Sequence, residues 1–235
     1  VLPAQLLVGL AGLYILEQPF EDWSILPSPA QSVLLSQITA RRTEQVGLEC
    51  TETDTETNLA AYDLGRRYSR GENHDTFVQE DEQRAGITIS ELTVDGLNTA
   101  KACMKLNFRK PVDSGGDFLY ICPTIVPFIE KNPFTSQKRQ LPVEFSYPYR
   151  YRIIVSLMLP EGYTVEELPK SQRLSACDEG IACTMQLQQQ GALMQCLFEF
   201  DLSRIIFPAT EYTDLSAFYG FVMDMCNSRI VLKKS

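Results

Sequence analysis

The sequence holds one histidine, one tryptophan, no Cys-x-x-Cys pair and no Lys or Arg before Arg41. Each scarcity removes a class of function. Structural zinc draws on closely spaced Cys and His ligands, so a lone His74 and scattered cysteines supply it poorly; no metal or other cofactor is expected. The longest apolar run, Leu6 to Leu16, is too short to span a bilayer, and without a basic segment before it, it is not a secretory signal. No membrane span is expected, and a chain that does not begin with Met reads as a piece of a longer protein. Basic residues are also in deficit. With 21 Lys and Arg against 30 Asp and Glu, the formal charge is -9, and a nucleic acid would meet net repulsion.

What is present is ordinary globular material. At 235 residues and 44% hydrophobic composition the chain can bury a core without a metal or disulfide staple. The acidic residues gather in Glu49 to Glu56 and in Glu80-Asp81-Glu82. Neither stretch has the Asp, Asn and Gly order of a calcium loop, so both read as solvated faces that keep the protein soluble. The cysteine count, seven, is odd, and several cysteines alternate with apolar residues, as Cys196 does with Met194 and Phe198, in the manner of small core hydrophobes. Cys177 and Cys183 flank Asp178-Glu179-Gly180 and would meet across a hairpin only in one register.

From Val33 onward apolar residues recur with period two, the mark of strands with one buried face. Tyr151, Ile153, Val155, Leu157 and Leu159 share one side of a long strand that ends at the turn Pro160-Glu161-Gly162, after which Tyr163 to Leu168 runs extended. Further strands are expected at 33–39, 87–94, 102–108, 117–122, 143–147, 181–188, 193–206 and 230–232, with a hairpin turn at Gln189-Gln190-Gly191. Prolines 123, 127, 133, 142 and 148 would blunt sheet edges. Helices are expected at 58–68 and 75–84. A third follows Glu211, where Leu215, Phe218, Tyr219, Val222, Met223 and Cys226 form a stripe capped by Thr210 or Thr213. The fold class is therefore mainly β, an antiparallel β-sandwich with short helical insertions and a C-terminal helix packed on a sheet. Pro27-Ser28-Pro29 marks the boundary between a segment over 1–27 and the β-sandwich over 28–235.

Chemistry is hard to assemble from these residues. Nucleophilic hydrolysis needs a Cys or Ser beside a base, and His74 lies in the polar Gly71-Glu72-Asn73-His74-Asp75 with no local nucleophile. It reads as a surface imidazole. Ser114-Gly115-Gly116-Asp117 precedes a strand, so it is a loop and no phosphate cradle. With thirty acidic residues, no carboxylate pair stands out. The aromatic candidates are Tyr147, Tyr149, Tyr151 and Tyr163, which form either a stacking platform for a sugar or peptide or a packed strand edge.

Three stretches carry a resemblance: Asn132-Pro133-Phe134 with Arg139 and Leu141 to Phe145; Leu159 to Pro169; and Tyr212 to Tyr219 with Arg229 to Lys234. In that order and spacing they resemble the C-terminal domain of unknown function in Gram-negative bacterial transglutaminase-like proteins. The resemblance implies that residues before Pro27 close a preceding transglutaminase-like domain whose Cys-His-Asp triad lies upstream of Val1, so no catalytic residue is carried by this chain. It also implies a periplasmic or cell-surface location. The expected partners are that upstream domain and a cell-envelope glycan or protein. A non-catalytic accessory module follows from it, bracing the upstream domain or binding a partner; a carbohydrate- or peptide-binding module is the alternative.

Overall fold

The computed structural model describes residues 11–14, 22–25, 30–43, 47–70 and 74–235, with backbone only for 11–14, 22–25, 70, 74 and 75. Strands β1 (Ala11–Tyr14) and β2 (Asp22–Ile25) pair antiparallel. The expected boundary at 27/28 falls outside the described residues, as does the His74 side chain.

The fold is mainly β, as its alternation predicts. Its largest element is an eight-stranded sheet built from β3 (Ser32–Thr43), β4 (Gly47–Thr57), β5 (Thr88–Asp95), β6 (Lys101–Lys110), β10 (Tyr149–Met158), β12 (Gln172–Ala176), β13 (Ile181–Gln190) and β14 (Leu193–Leu202), in the order β12-β13-β14-β10-β3-β4-β6-β5. All neighbours run antiparallel except β10 and β3, which pair in parallel through Ile153↔Ser36 and Val155↔Ile38. A second sheet orders β11 (Tyr163–Glu167), β16 (Ile230–Lys234), β8 (Phe118–Ile121) and β7 (Asp113–Gly115). A short pair joins β9 (Val143–Glu144) to β15 (Ile206–Phe207).

The large sheet is two-faced. On one side Phe198, Phe200, Ile153, Val155, Ile38 and Phe108 are buried in a single core that also takes Leu119, Ile121 and Leu232 of the second sheet. On the other side Arg150 pairs with Asp201 and Arg152 with Glu199, partly exposed ion pairs worth little to stability. The buried side is covered by α1 (Asn58–Arg70), α2 (His74–Ala85), α3 (Tyr212–Cys226) and the connection over 122–142.

Several local expectations are corrected. The acidic stretch Glu49 to Glu56 is no solvated face; it is β4, an interior strand flanked by β3 and β6. Prolines 123, 127, 133 and 142 sit on no strand edge, because they lie in the connection between β8 and β9. Ser114 and Gly115 belong to β7, and the turn that follows leads into β8. The strand expected over 193–206 breaks after Leu202, and β12 arises from a polar stretch without alternation. Cys183 stands opposite Leu174 while Cys177 lies in the turn at φ 54°, so the register separates them and both thiols are free.

Helix α3 lies on the sheet, its Phe218 and Tyr219 rings 6.1 and 5.8 Å from that of Phe200. Its buried stripe includes Met225 where Met223 was expected. Neither threonine caps it: a 3-10 turn over Ala209–Glu211 feeds the helix, with Glu211 at the N-cap position and its carboxylate paired with Arg204 instead of with the helix amides.

Candidate functional site

The alternation Thr51-Glu52-Thr53-Asp54-Thr55-Glu56-Thr57 divides β4 between two faces. β-branched threonines suit an extended backbone, and Thr51 on the outer face donates to Asn107 across the ladder at 3.0 Å. The carboxylates take the inner face, continuing the line of buried Leu48 and Cys50. Their neighbours in the sheet are apolar. One row across the strands runs Phe198, Ile153, Ser36, Asp54, Met104 and Val94; the next runs Cys196, Val155, Ile38, Glu52, Leu106 and Leu92.

Two carboxyl groups in the middle of an apolar sheet face are costly unless they are neutral or partnered. Ser36 Oγ donates to Glu52 Oε1 at 2.5 Å. Asp54 lies within hydrogen-bonding reach of Ser36 and Glu52, yet its Oδ1 is sealed from water with no hydrogen-bond partner among the described residues. Burial raises the Glu52 carboxyl above its ordinary range, against the Ser36 hydrogen bond that lowers it. Burial and then the Glu52 charge raise Asp54 further, so the pair holds a proton that an exposed pair would lose.

Above this pair lies a cavity of about 480 Å³. Its floor is Glu52 and Asp54; α2 supplies Asp81 and Arg84, the connection after β8 supplies Glu130, and Tyr151 of β10 stands at one side. Asp81 and Arg84, one helical turn apart, pair at 2.7 Å, which neutralises them mutually. The remaining wall is apolar, including Phe128 and Ile153. The Phe128 and Tyr151 rings stand 5.2 Å apart. A smaller cavity of about 90 Å³ adjoins, sharing Asp54, Asp81, Arg84 and Tyr151, and reaches Glu56. Burial pushes Glu56 up to about 7, although Arg67 at 3.7 Å holds it down.

Of the four tyrosines singled out from sequence, Tyr147 and Tyr149 meet edge-on with ring centroids 6.2 Å apart. Tyr147 donates to Asp63 Oδ2 at 2.8 Å. Tyr149 stacks on Phe200 at 5.8 Å and exchanges a hydrogen bond with Tyr219. Tyr151 alone of the four lines the large cavity, where burial and the Asp54 charge push its phenol well above the usual range. Tyr163 is in the second sheet, with Arg42 over its ring at 5.0 Å. The functional residues that sequence reasoning missed are Glu52, Asp54, Asp81 and Arg84. The signal that could have found the first two is the strict Thr/acid alternation, which is a strand pattern and not a disordered charge run.

Asn132, Pro133 and Phe134 form a clamp on α3. Asn132 Nδ2 donates to the Ser216 carbonyl at 2.8 Å, Ser216 Oγ donates to the Phe134 carbonyl at 2.9 Å, and the Phe134 ring meets Tyr219 edge-on at 4.9 Å.

Residues 117–232 match the model of a family described as "Domain of Unknown Function with solved-structure structure (DUF3858)". That span takes in the Asn132 clamp, α3 and β16, and leaves β4 and α2 outside. A crystal structure of a "putative protease" from Parabacteroides distasonis ATCC 8503 is similar at 16% identity and a TM-score of 0.41 over 49% of this chain. The alignment spans 23% of that protein's chain, so the two differ greatly in extent. No curated protein matches the sequence.

Proposed function

We propose that this chain is a non-catalytic binding module, the C-terminal accessory part of an exported transglutaminase-like protein, and that it takes its ligand in the cavity over β4. The observation that carries this reading is Asp54, which lines the cavity and whose buried Oδ1 has no donor among the described residues. A folded protein tolerates such a group where a ligand supplies the missing partner. The accessory role is supported by the Asn132 clamp, which lies in one of the stretches that carry the family resemblance and serves packing, not chemistry. Buried Cys50, Cys196 and Cys226 have thiols pushed up to about 12 by desolvation, which leaves them without thiolate at neutral pH. Export to the periplasm or cell surface is part of the same proposal and rests on the resemblance alone. A cell-envelope peptide or glycan entering the cavity would meet Tyr151 and Phe128.

The test uses the purified chain in two assays. Ester, peptide and glycoside panels are expected to give no turnover, and a ligand screen read by amide chemical shifts is expected to give saturable shifts around β4 that Asp54→Asn removes. Turnover that tracks Asp54→Asn or Glu52→Gln would overturn the non-catalytic reading, and shifts confined to the outer sheet face would overturn the site.

A further inference from the structure

We propose that the cavity over β4 receives a primary ammonium group carried on an apolar stem. This deepens the binding reading above and rests on it. The charge count over the cavity is uneven. Arg84 is held by Asp81 and Arg67 by Glu56, while Glu52, Asp54 and Glu130 form no ion pair among the described residues. An anion is excluded by sign. A metal ion is not favoured, because no three metal-ligating side chains converge among the described residues.

The donor set of an ammonium fits what is missing. It carries three N–H donors and no acceptor, and the floor offers the Asp54 carboxyl, whose Oδ1 has no donor among the described residues, beside the Glu52 carboxyl. Phe128 and Tyr151, in mutual contact at 5.2 Å, present ring surface to the same space, and aromatic faces attract cations. Ile38, Leu106 and Ile153 line the rest, a wall suited to methylenes and not to a hydrated polyol. The stem sources are a free alkylamine or diamine and a peptide lysine, which share this chemistry.

Uptake of the cation has a proton signature. The groups facing the ligand are Glu52, Asp54 and Glu56 from β4, Asp81 and Arg84 from α2, Arg67 from α1, Tyr151 from β10 and Glu130 from the connection. Of these, the Glu52/Asp54 pair holds a shared proton that an incoming ammonium displaces. Binding then releases a proton and tightens as pH rises.

Titration calorimetry on the whole chain tests this with n-pentylamine, Nα-acetyl-lysine methylamide and, as the uncharged isostere, 1-pentanol. Saturable binding of at least one amine is expected, with an observed heat that differs between phosphate and Tris buffers because the released proton is taken up by the buffer. Asp54→Asn and Glu52→Gln should each weaken it by about tenfold or more, and Arg150→Ala on the outer face should not change it. The ratio of the two amines separates a free small amine from a peptide lysine. Equal affinity for 1-pentanol, or full affinity in Asp54→Asn with a urea midpoint at or above the parent's, overturns the inference. If a neutral amide or glycan binds in an Asp54-dependent way and the amines do not, the binding module stands and the ammonium inference falls; if nothing binds, both fall.

Discussion

Ser36 stands opposite Asp54 in the β3–β4 register and donates its hydroxyl hydrogen to Glu52 Oε1 at 2.5 Å. A hydroxyl has one hydrogen to give, so Asp54 Oδ1 goes without. Two carboxyl groups served by one donor make the centre of the sheet the least self-sufficient part of the core. The strain is local, because the rows on either side continue as ordinary apolar packing through Ile153, Ile38, Met104 and Leu106.

Replacing the deprived carboxyl should therefore stabilise the free protein. Asp54→Asn keeps the shape, replaces a carboxyl that burial holds protonated and lets the new amide donate to Glu52. Its urea midpoint at about pH 8 should exceed the parent's by an amount equivalent to about 1–3 kcal/mol, the cost of an unsatisfied buried polar group. A midpoint equal to or below the parent's would mean that Asp54 is already satisfied in solution.

Glu56 gives a pH dependence of definite sign. Its folded value of about 7 lies above the ordinary glutamate value of 4.5, so the folded state holds the proton more tightly than the unfolded chain. That contribution is fully present below the unfolded pKa and is lost as pH rises through the folded one, between about 4.5 and 7. A shift of this size corresponds to at most about 3 kcal/mol. Denaturant midpoints should fall from about pH 5 to about pH 8, and Glu56→Gln should flatten that slope; a parent and variant with parallel profiles would remove Glu56 from the cause.

How far the sequence discloses this molecule depends on which physical rule decides each element. Where burial alone decides, as for β10, β13, β14 and α3, period-two or three-and-four spacing of apolar residues predicts the element and its buried side. At β4 the same period is present, but its inner positions change from Leu48 and Cys50 to Glu52, Asp54 and Glu56, and a charge run is ordinarily solvated. Only the flanking strands and α2, supplied by segments far apart in the chain, make that face an interior. The cavity is less legible still, since Ile38, Asp54, Asp81, Glu130 and Tyr151 come from five separate segments of the chain. The tyrosines stood out by composition, while their engagement with Asp63, Phe200, Tyr219 and Arg42 is a property of the fold.

The thiols follow from burial. Cys50, Cys183, Cys196 and Cys226 are buried, and desolvation raises all four. Under native conditions at about pH 7 these four should resist iodoacetamide far longer than free cysteine does, and should react once urea unfolds the chain. Peptide mapping checks each site. Fast native alkylation at any of them would expose a local opening of the core that its packing does not suggest.

The C-terminal segment closes the domain, and its deletion should be decisive. β16 lies between β11 and β8, so removing it unpairs both neighbours and uncovers Leu119 and Ile121. α3 precedes it, with Phe218 buried and in contact with Phe200 and Tyr219. Phe218→Ala empties a large aromatic from this core and should cost about 3–5 kcal/mol, read as a lowered denaturant midpoint. Truncation after Pro208 should leave a chain without cooperative unfolding. The rival is a helix whose stripe docks a partner. Phe221, 60% exposed on the opposite side of α3, is the residue such docking would use, and Phe221→Ala should leave the midpoint nearly unchanged. If instead Phe218→Ala unfolds at the parent's midpoint, the stripe is not core, and α3 must be a surface helix that meets the sheet only loosely.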